Sequence, residues 1–123
     1  MGLRNNFTKE TQELFKGNFA DWEDGVNDAD CLHHILGRVA ESPYNSAPLS
    51  NFRNHWPEWR TSHNLPPIHS YDVQRKYLLK TKKFLDGINY VPTENDLNFL
   101  KKYDRYYKKI NTRKEETTQE LGF

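Results

Sequence analysis

Five of the six prolines, Pro43, Pro48, Pro57, Pro66 and Pro67, fall within one stretch, so neither a long helix nor a central strand can cross the middle of this chain. Short elements joined by turns are what remain there. Ahead of the prolines, Cys31-Leu32-His33-His34-Ile35-Leu36 is apolar enough for a short strand. Residues Asn45 to Leu49 suit a second strand, confined to an edge by Pro48. Residues 50–60 read as a short helix with Ser50 as its N-cap and Pro57 near its end.

Helical signals flank this middle. Leu14, Phe15 and Trp22 recur at helix-like intervals with Phe7 and Phe19, which predicts a short helix over 8–21, weakened by Gly17. Turn chemistry fills Asp24 to Asp30. After residue 70 the pattern is clearer. Val73, Tyr77 and Phe84 or Leu85 stand at core spacing in a helix over about 71–85 that Gly87 stops. Pro92 then precedes Thr93-Glu94-Asn95-Asp96, a capping-box pattern. The helix it opens carries Phe99, Tyr103, Tyr106 and Ile110 as one apolar stripe.

The expected fold class is therefore α+β: two short strands and a helix embedded among additional helices, in a single domain. An N-terminal arm or short helix occupies 1–30, the strand-strand-helix unit 31–64, a helical basic extension 65–113 and a flexible tail 114–123. Apolar residues are only 35% of the chain, so seven Tyr, seven Phe and three Trp must supply much of the core. No run approaches the ~18 apolar residues of a membrane span, and a basic-then-apolar secretory leader is not seen. One cysteine, Cys31, excludes an internal disulfide and a Cys-rich zinc knuckle. These features point to a cytoplasmic protein with no membrane partner.

The net charge of +1 conceals an uneven layout. Residues 1–42 hold eight acidic against four basic residues, whereas 75–114 hold twelve basic against four acidic. A basic half on a neutral whole suits nucleic acid as well as it suits a solvated helix face.

All five histidines, His33, His34, His55, His63 and His69, lie within 37 residues. In a strand, adjacent side chains face opposite ways. One imidazole of the His33-His34 pair can therefore hold a metal while the other approaches a substrate.

The run Leu32-His33-His34-Ile35, then Asn45, then His55 resembles the HNH (ββα-metal) nuclease motif, in which two short strands and a helix fold around one divalent cation. The stretch Leu49-Ser50-Asn51-Phe52-Arg53-Asn54-His55 resembles the way that motif leads into its helix. The resemblance covers about residues 30–64 and departs from many relatives in one respect. Ser50 and Arg53 stand where paired zinc-binding cysteines would be expected, as in small bacteriophage-type members, whose compartment would be the host cytoplasm.

The resemblance implies a DNA endonuclease. His33 and His55 would be metal ligands, with His63 as a third and His69 or Asn54 as alternatives for that place. His34 would be the general base, and Asn45 the asparagine that fixes the loop and the base's orientation. The cofactor would be one divalent ion, Mg²⁺, Mn²⁺ or Zn²⁺. Arg38, Arg75, Lys76, Lys80, Lys83, Lys101 and Lys102 would contact phosphates without specifying sequence, in company with Lys82, Arg105, Lys108 and Lys109. No small-molecule substrate is implied, and oligomeric state is left open. Trp56 and Trp59 are expected to pack the helix against the strands. The competing expectation is a non-catalytic nucleic-acid-binding protein whose histidines close a structural zinc site.

Overall fold

The structure, a computed structural model, describes residues 8–15, 20–25, 29–37 and 41–108. The chain is an α+β protein. Two strands, β1 (Cys31–His34) and β2 (Ser46–Leu49), pair antiparallel with Cys31 opposite Leu49, Leu32 opposite Pro48, His33 opposite Ala47 and His34 opposite Ser46. Pro48 is tolerated because its missing N–H is not needed, and its carbonyl is used instead, accepting from Trp22 N at 2.9 Å. A 3-10 turn over Pro43–Asn45 leads into β2.

Around the hairpin stand α1 (Lys9–Leu14), α2 (Pro57–Ser62), α3 (Tyr71–Gly87) and α4 (Glu94–Lys102). Helix α3 is the central support. Its buried Val73, Tyr77, Leu78, Thr81 and Leu85 lie on one face and pack with Leu32, Ile35, Tyr44, Ala47 and Leu49. Full burial of an aliphatic or aromatic side chain of this size stabilises by about 1.5–3 kcal/mol. Thr81 is polar but wholly buried, and it is satisfied twice. Its hydroxyl donates to the Ser46 carbonyl at 2.7 Å and accepts from Trp22 Nε1 at 2.7 Å. The helix is thereby tied to β2 on one side and to the N-terminal segment on the other. Aromatics thicken this core: Phe15 stacks on Phe84 with centroids 5.0 Å apart.

Helix α4 begins with the expected capping box. Asp96 N donates to Thr93 Oγ1 at 3.1 Å, and Thr93 N donates to the Asp96 carboxylate at 3.0 Å. That carboxylate also accepts from Ser42 Oγ and Tyr90 OH, so the cap is a junction between α4 and the turn before β2.

Three boundaries differ from expectation. The N-terminal helix is only Lys9–Leu14, with part of the predicted 8–21 outside the described residues. The stripe Phe99, Tyr103, Tyr106 does not run along one helix, because α4 ends at Lys102 and a 3-10 turn over Asp104–Tyr106 returns Tyr106 to the core; Ile110 lies outside the described residues. The helix expected over 50–60 begins at Pro57, which occupies its first turn, where a missing N–H is harmless. Residues 51–55 are a succession of turns instead. No helix among the described residues is long and apolar enough to cross a membrane.

Candidate functional site

The turn after β2 is hung from Ser50. Its carbonyl accepts from His55 N at 3.1 Å and from Arg53 N at 3.2 Å, while its hydroxyl accepts from Asn54 N. Ser50 is itself held by the buried Asp21, whose carboxylate accepts from both Ser50 N and Ser50 Oγ. This turn folds His55 back over β1. The His33 and His55 rings lie 4.9 Å apart, and His69 approaches the other side of His33 at 5.3 Å.

Separations near 5 Å are what two imidazoles show when both ligate one ion at roughly 2.0–2.1 Å. No group of three or more His, Cys, Asp or Glu among the described residues is arranged to hold a metal ion as it stands. His69 is exposed, while His33 is buried.

The residues fit a cation on two further counts. The buried His33 Nε2 has no hydrogen-bond partner among the described residues, an arrangement that costs stability unless something occupies it. Burial, reinforced by the neighbouring His55, His69, His34 and Arg60, pushes the His33 imidazole down to about 2, so it is neutral and its lone pair is available. His55 is lowered for the same reasons, burial first, then His69 and Arg60, against an opposing pull from Asp30. His55 Nδ1–H donates to Asn51 Oδ1 at 3.2 Å, since an amide oxygen only accepts. Its Nε2 then carries the lone pair, and a hydrogen bond at the other ring nitrogen is what an outer-shell partner supplies to a metal-bound histidine.

His34 follows His33 in β1, half-buried, and strand alternation sends it to the other side. The segment after it is clamped by the wholly buried Asn45. Asn45 Oδ1 accepts from Leu36 N at 2.9 Å, Nδ2 donates to the Gly37 carbonyl at 2.9 Å, and its own carbonyl accepts from Ile35 N at 2.9 Å. Gly37 takes a φ of +79° here, which favours glycine.

His63 does not join the cluster. It lies one helical turn beyond Trp59, stacks on that indole at 3.8 Å, and donates from Nδ1 to the Trp59 carbonyl. The loop that follows brings His69, the alternative to it, to the cluster instead. Arg60 Nε donates to the Pro66 carbonyl at 2.9 Å, and Leu65 N donates to the Arg60 carbonyl at 2.8 Å, turning the chain back so that His69 reaches His33. Asn54 is buried but employed elsewhere: Nδ2 donates to Asp24 and its carbonyl accepts from Arg60. Beside His69 and Arg60 an open cavity of about 430 Å³ is completed by Thr61, Leu65 and Ile68.

Arg60 and Glu23 carry no sequence signal, yet they hold the site together. Arg60 is 2% exposed and pairs with Glu23 at 2.9 Å, while Glu23 also accepts from Lys76 and from Tyr77 OH. Asn51 stands four positions before His55, a spacing that would pair their side chains in the helix expected over 50–60; here a succession of turns makes the same contact.

The basic residues divide. Lys76 is occupied by Glu23, Lys80 donates to the Trp22 carbonyl, and Arg75 donates to the Lys108 carbonyl. Lys83, Lys101 and Lys102 are exposed. Arg38 and Lys109 lie outside the described residues. Trp56 and Trp59, expected to pack α2 on the strands, belong to no part of the core, and Trp56 is exposed.

No protein-family model, curated protein or solved structure matches this chain.

Proposed function

We propose that this chain is an endonuclease of the HNH (ββα-metal) kind, hydrolysing phosphodiester bonds in DNA with the help of one divalent cation. The observation that carries the reading is the gathering of His55 and His69 around the buried, neutral imidazole of His33, whose Nε2 has no partner among the described residues, directly beside a second strand histidine. His33, His55 and His69 would hold the cation, with Asn51 orienting His55. An all-imidazole set suits Zn²⁺ and other transition ions better than Mg²⁺. When bound, the cation neutralises charge on the scissile phosphate and stabilises the leaving oxygen.

His34 takes the proton from the attacking water. Asn45 fixes the turn that begins immediately after it, which limits where the His34 ring can point. Lys83, Lys101 and Lys102 meet phosphates along the strand and contribute affinity without sequence preference. Arg75, Lys76 and Lys80 add to the positive field while their head groups stay tied to the fold.

The test is incubation of purified protein with supercoiled plasmid and Zn²⁺, Mn²⁺, Mg²⁺ or EDTA. Metal-dependent conversion to nicked circles, abolished by EDTA, is expected. A folded, metal-loaded sample that cleaves with none of these ions overturns the enzyme reading in favour of a non-catalytic nucleic-acid-binding protein.

A further inference from the structure

The segment that carries His55 also carries aromatic rings turned to solvent. Phe52 is 63% exposed and Trp56 43%, and the two rings touch with centroids 5.7 Å apart. Scattered exposed apolar side chains need no explanation, but rings in mutual contact on the surface are a different matter. Beyond Trp56 the half-buried Trp59 stands in the first turn of α2. The Arg53 guanidinium lies 5.7 Å from the Trp59 ring centroid, and His63 stacks against the same indole. Aromatic faces and a cation alternate along the segment, and His55 sits between Phe52 and Trp56 in the chain.

Resting on the nuclease reading above, we propose that Phe52 and Trp56 form a stacking platform for an unpaired base of the nucleic-acid strand whose phosphate is presented to the histidine cluster. Exposed π faces beside a guanidinium match one occupant chemically, a flat aromatic base attached to an anionic backbone. Within a continuous duplex both faces of each base are covered by neighbouring pairs, so such a platform has nothing to stack on. The substrates it selects are therefore single-stranded, frayed or branched. Stacking accepts any base, so the preference is for form and not for sequence.

The experiment measures binding of a fluorescein-labelled single strand and of a duplex of equal length, with the protein as purified and no divalent cation added. The wild type is expected to bind the single strand several-fold more tightly, with quenching of tryptophan fluorescence. Phe52→Ala/Trp56→Ala should weaken single-strand binding by about tenfold or more and duplex binding by less than about twofold. Trp56→Tyr should retain affinity, whereas Trp56→Leu, apolar but without a π face, should not. Both positions are exposed, so an unchanged circular dichroism spectrum is expected for every variant. Equal losses on the two DNA forms, no loss on either, or a wild-type preference for duplex each overturn the platform. Plasmid nicking that persists with undiminished single-strand binding in the double variant refutes the platform alone. Single-strand binding without any nicking refutes the nuclease reading alone.

Discussion

The imidazoles of His33 and His55 lie 4.9 Å apart although 22 positions separate them in the chain. The hairpin register accounts for this. Leu49 ends β2 directly opposite Cys31, and the next residue, Ser50, starts a turn that reverses over β1 and delivers His55 beside His33. Asp21 anchors that turn from the N-terminal segment. The pair therefore depends on three parts of the chain, and a ligand drawn to it would tighten all three.

The third partner separates His69 from His63. His69→Ala should weaken Zn²⁺ affinity by roughly 100-fold, at the upper end of what even an outer-shell loss costs. His63→Ala, which removes only a ring stacked on Trp59, should leave affinity within about twofold of wild type. Competition with a chromophoric chelator measures both. Equal effects from the two substitutions would remove His69 from the site.

Asn51 gives a second check on the same site. It accepts from His55 Nδ1, and its own N–H donates to Asp30 at 2.7 Å, so its position is set before any ion arrives. Asn51→Ala should lower Zn²⁺ affinity by about 10–100-fold with little change in the melting temperature of the metal-free protein. Asn51→Asp, which keeps the acceptor, should recover most of it.

The two strands, the capping box of α4 and the face of α3 were legible in the sequence because each follows from local pattern: a short apolar run bounded by turn residues, a Thr-x-x-Asp spacing, a helical period. His33 and His34 were legible through adjacency. The choice between His63 and His69 was not, since it depends on how Arg60 captures the Pro66 carbonyl and bends the loop, a contact with no sequence signature. Pro57 was misread for a related reason: a proline late in a presumed helix and one in the first turn of a later helix look the same until the Ser50 turn is known. The apolar stripe Phe99, Tyr103, Tyr106 gave the right core residues and the wrong continuity, because a 3-10 turn returns Tyr106 to the core after α4 has ended.

The buried pair Arg60–Glu23 makes a pH-dependent prediction. Burial alone would raise the Glu23 carboxyl, but hydrogen bonds from Lys76, Tyr77 and Arg60 outweigh it, and the net shift is downward from 4.5. A depressed folded value contributes stability that is complete above the unfolded value and is lost as pH falls through the folded one. Glu23→Gln should cost about 3 kcal/mol near neutrality, by leaving the Arg60 charge buried without its counter-ion. The gap in melting temperature between variant and wild type should close as pH falls below about 4.5. A gap that stays constant from neutral to acid pH would show that the carboxylate charge contributes nothing.

The two strand histidines should separate by function. His33 faces His55 and His69, and its Nε2 has no partner among the described residues, so on the proposed reading its loss would remove a ligand. His33→Ala should weaken Zn²⁺ binding, with part of the nicking activity returning at high cation concentration. Strand alternation sends His34 to the opposite side of β1, and its proposed role is proton transfer. His34→Ala should therefore leave Zn²⁺ affinity within about threefold of wild type while lowering the nicking rate by about 10²–10⁴-fold. Asn45→Ala should fall between them. It removes the partners that Asn45 gives to the half-buried Leu36 N–H and Gly37 carbonyl, a loss of about 1–3 kcal/mol in stability. It should also slow nicking without altering Zn²⁺ affinity, because the turn it releases follows His34 and not the ligands. Parallel measurement of plasmid nicking, Zn²⁺ affinity and thermal unfolding on the three variants tests the assignment. Loss of Zn²⁺ binding in His34→Ala, with binding spared in His33→Ala, would exchange the two roles.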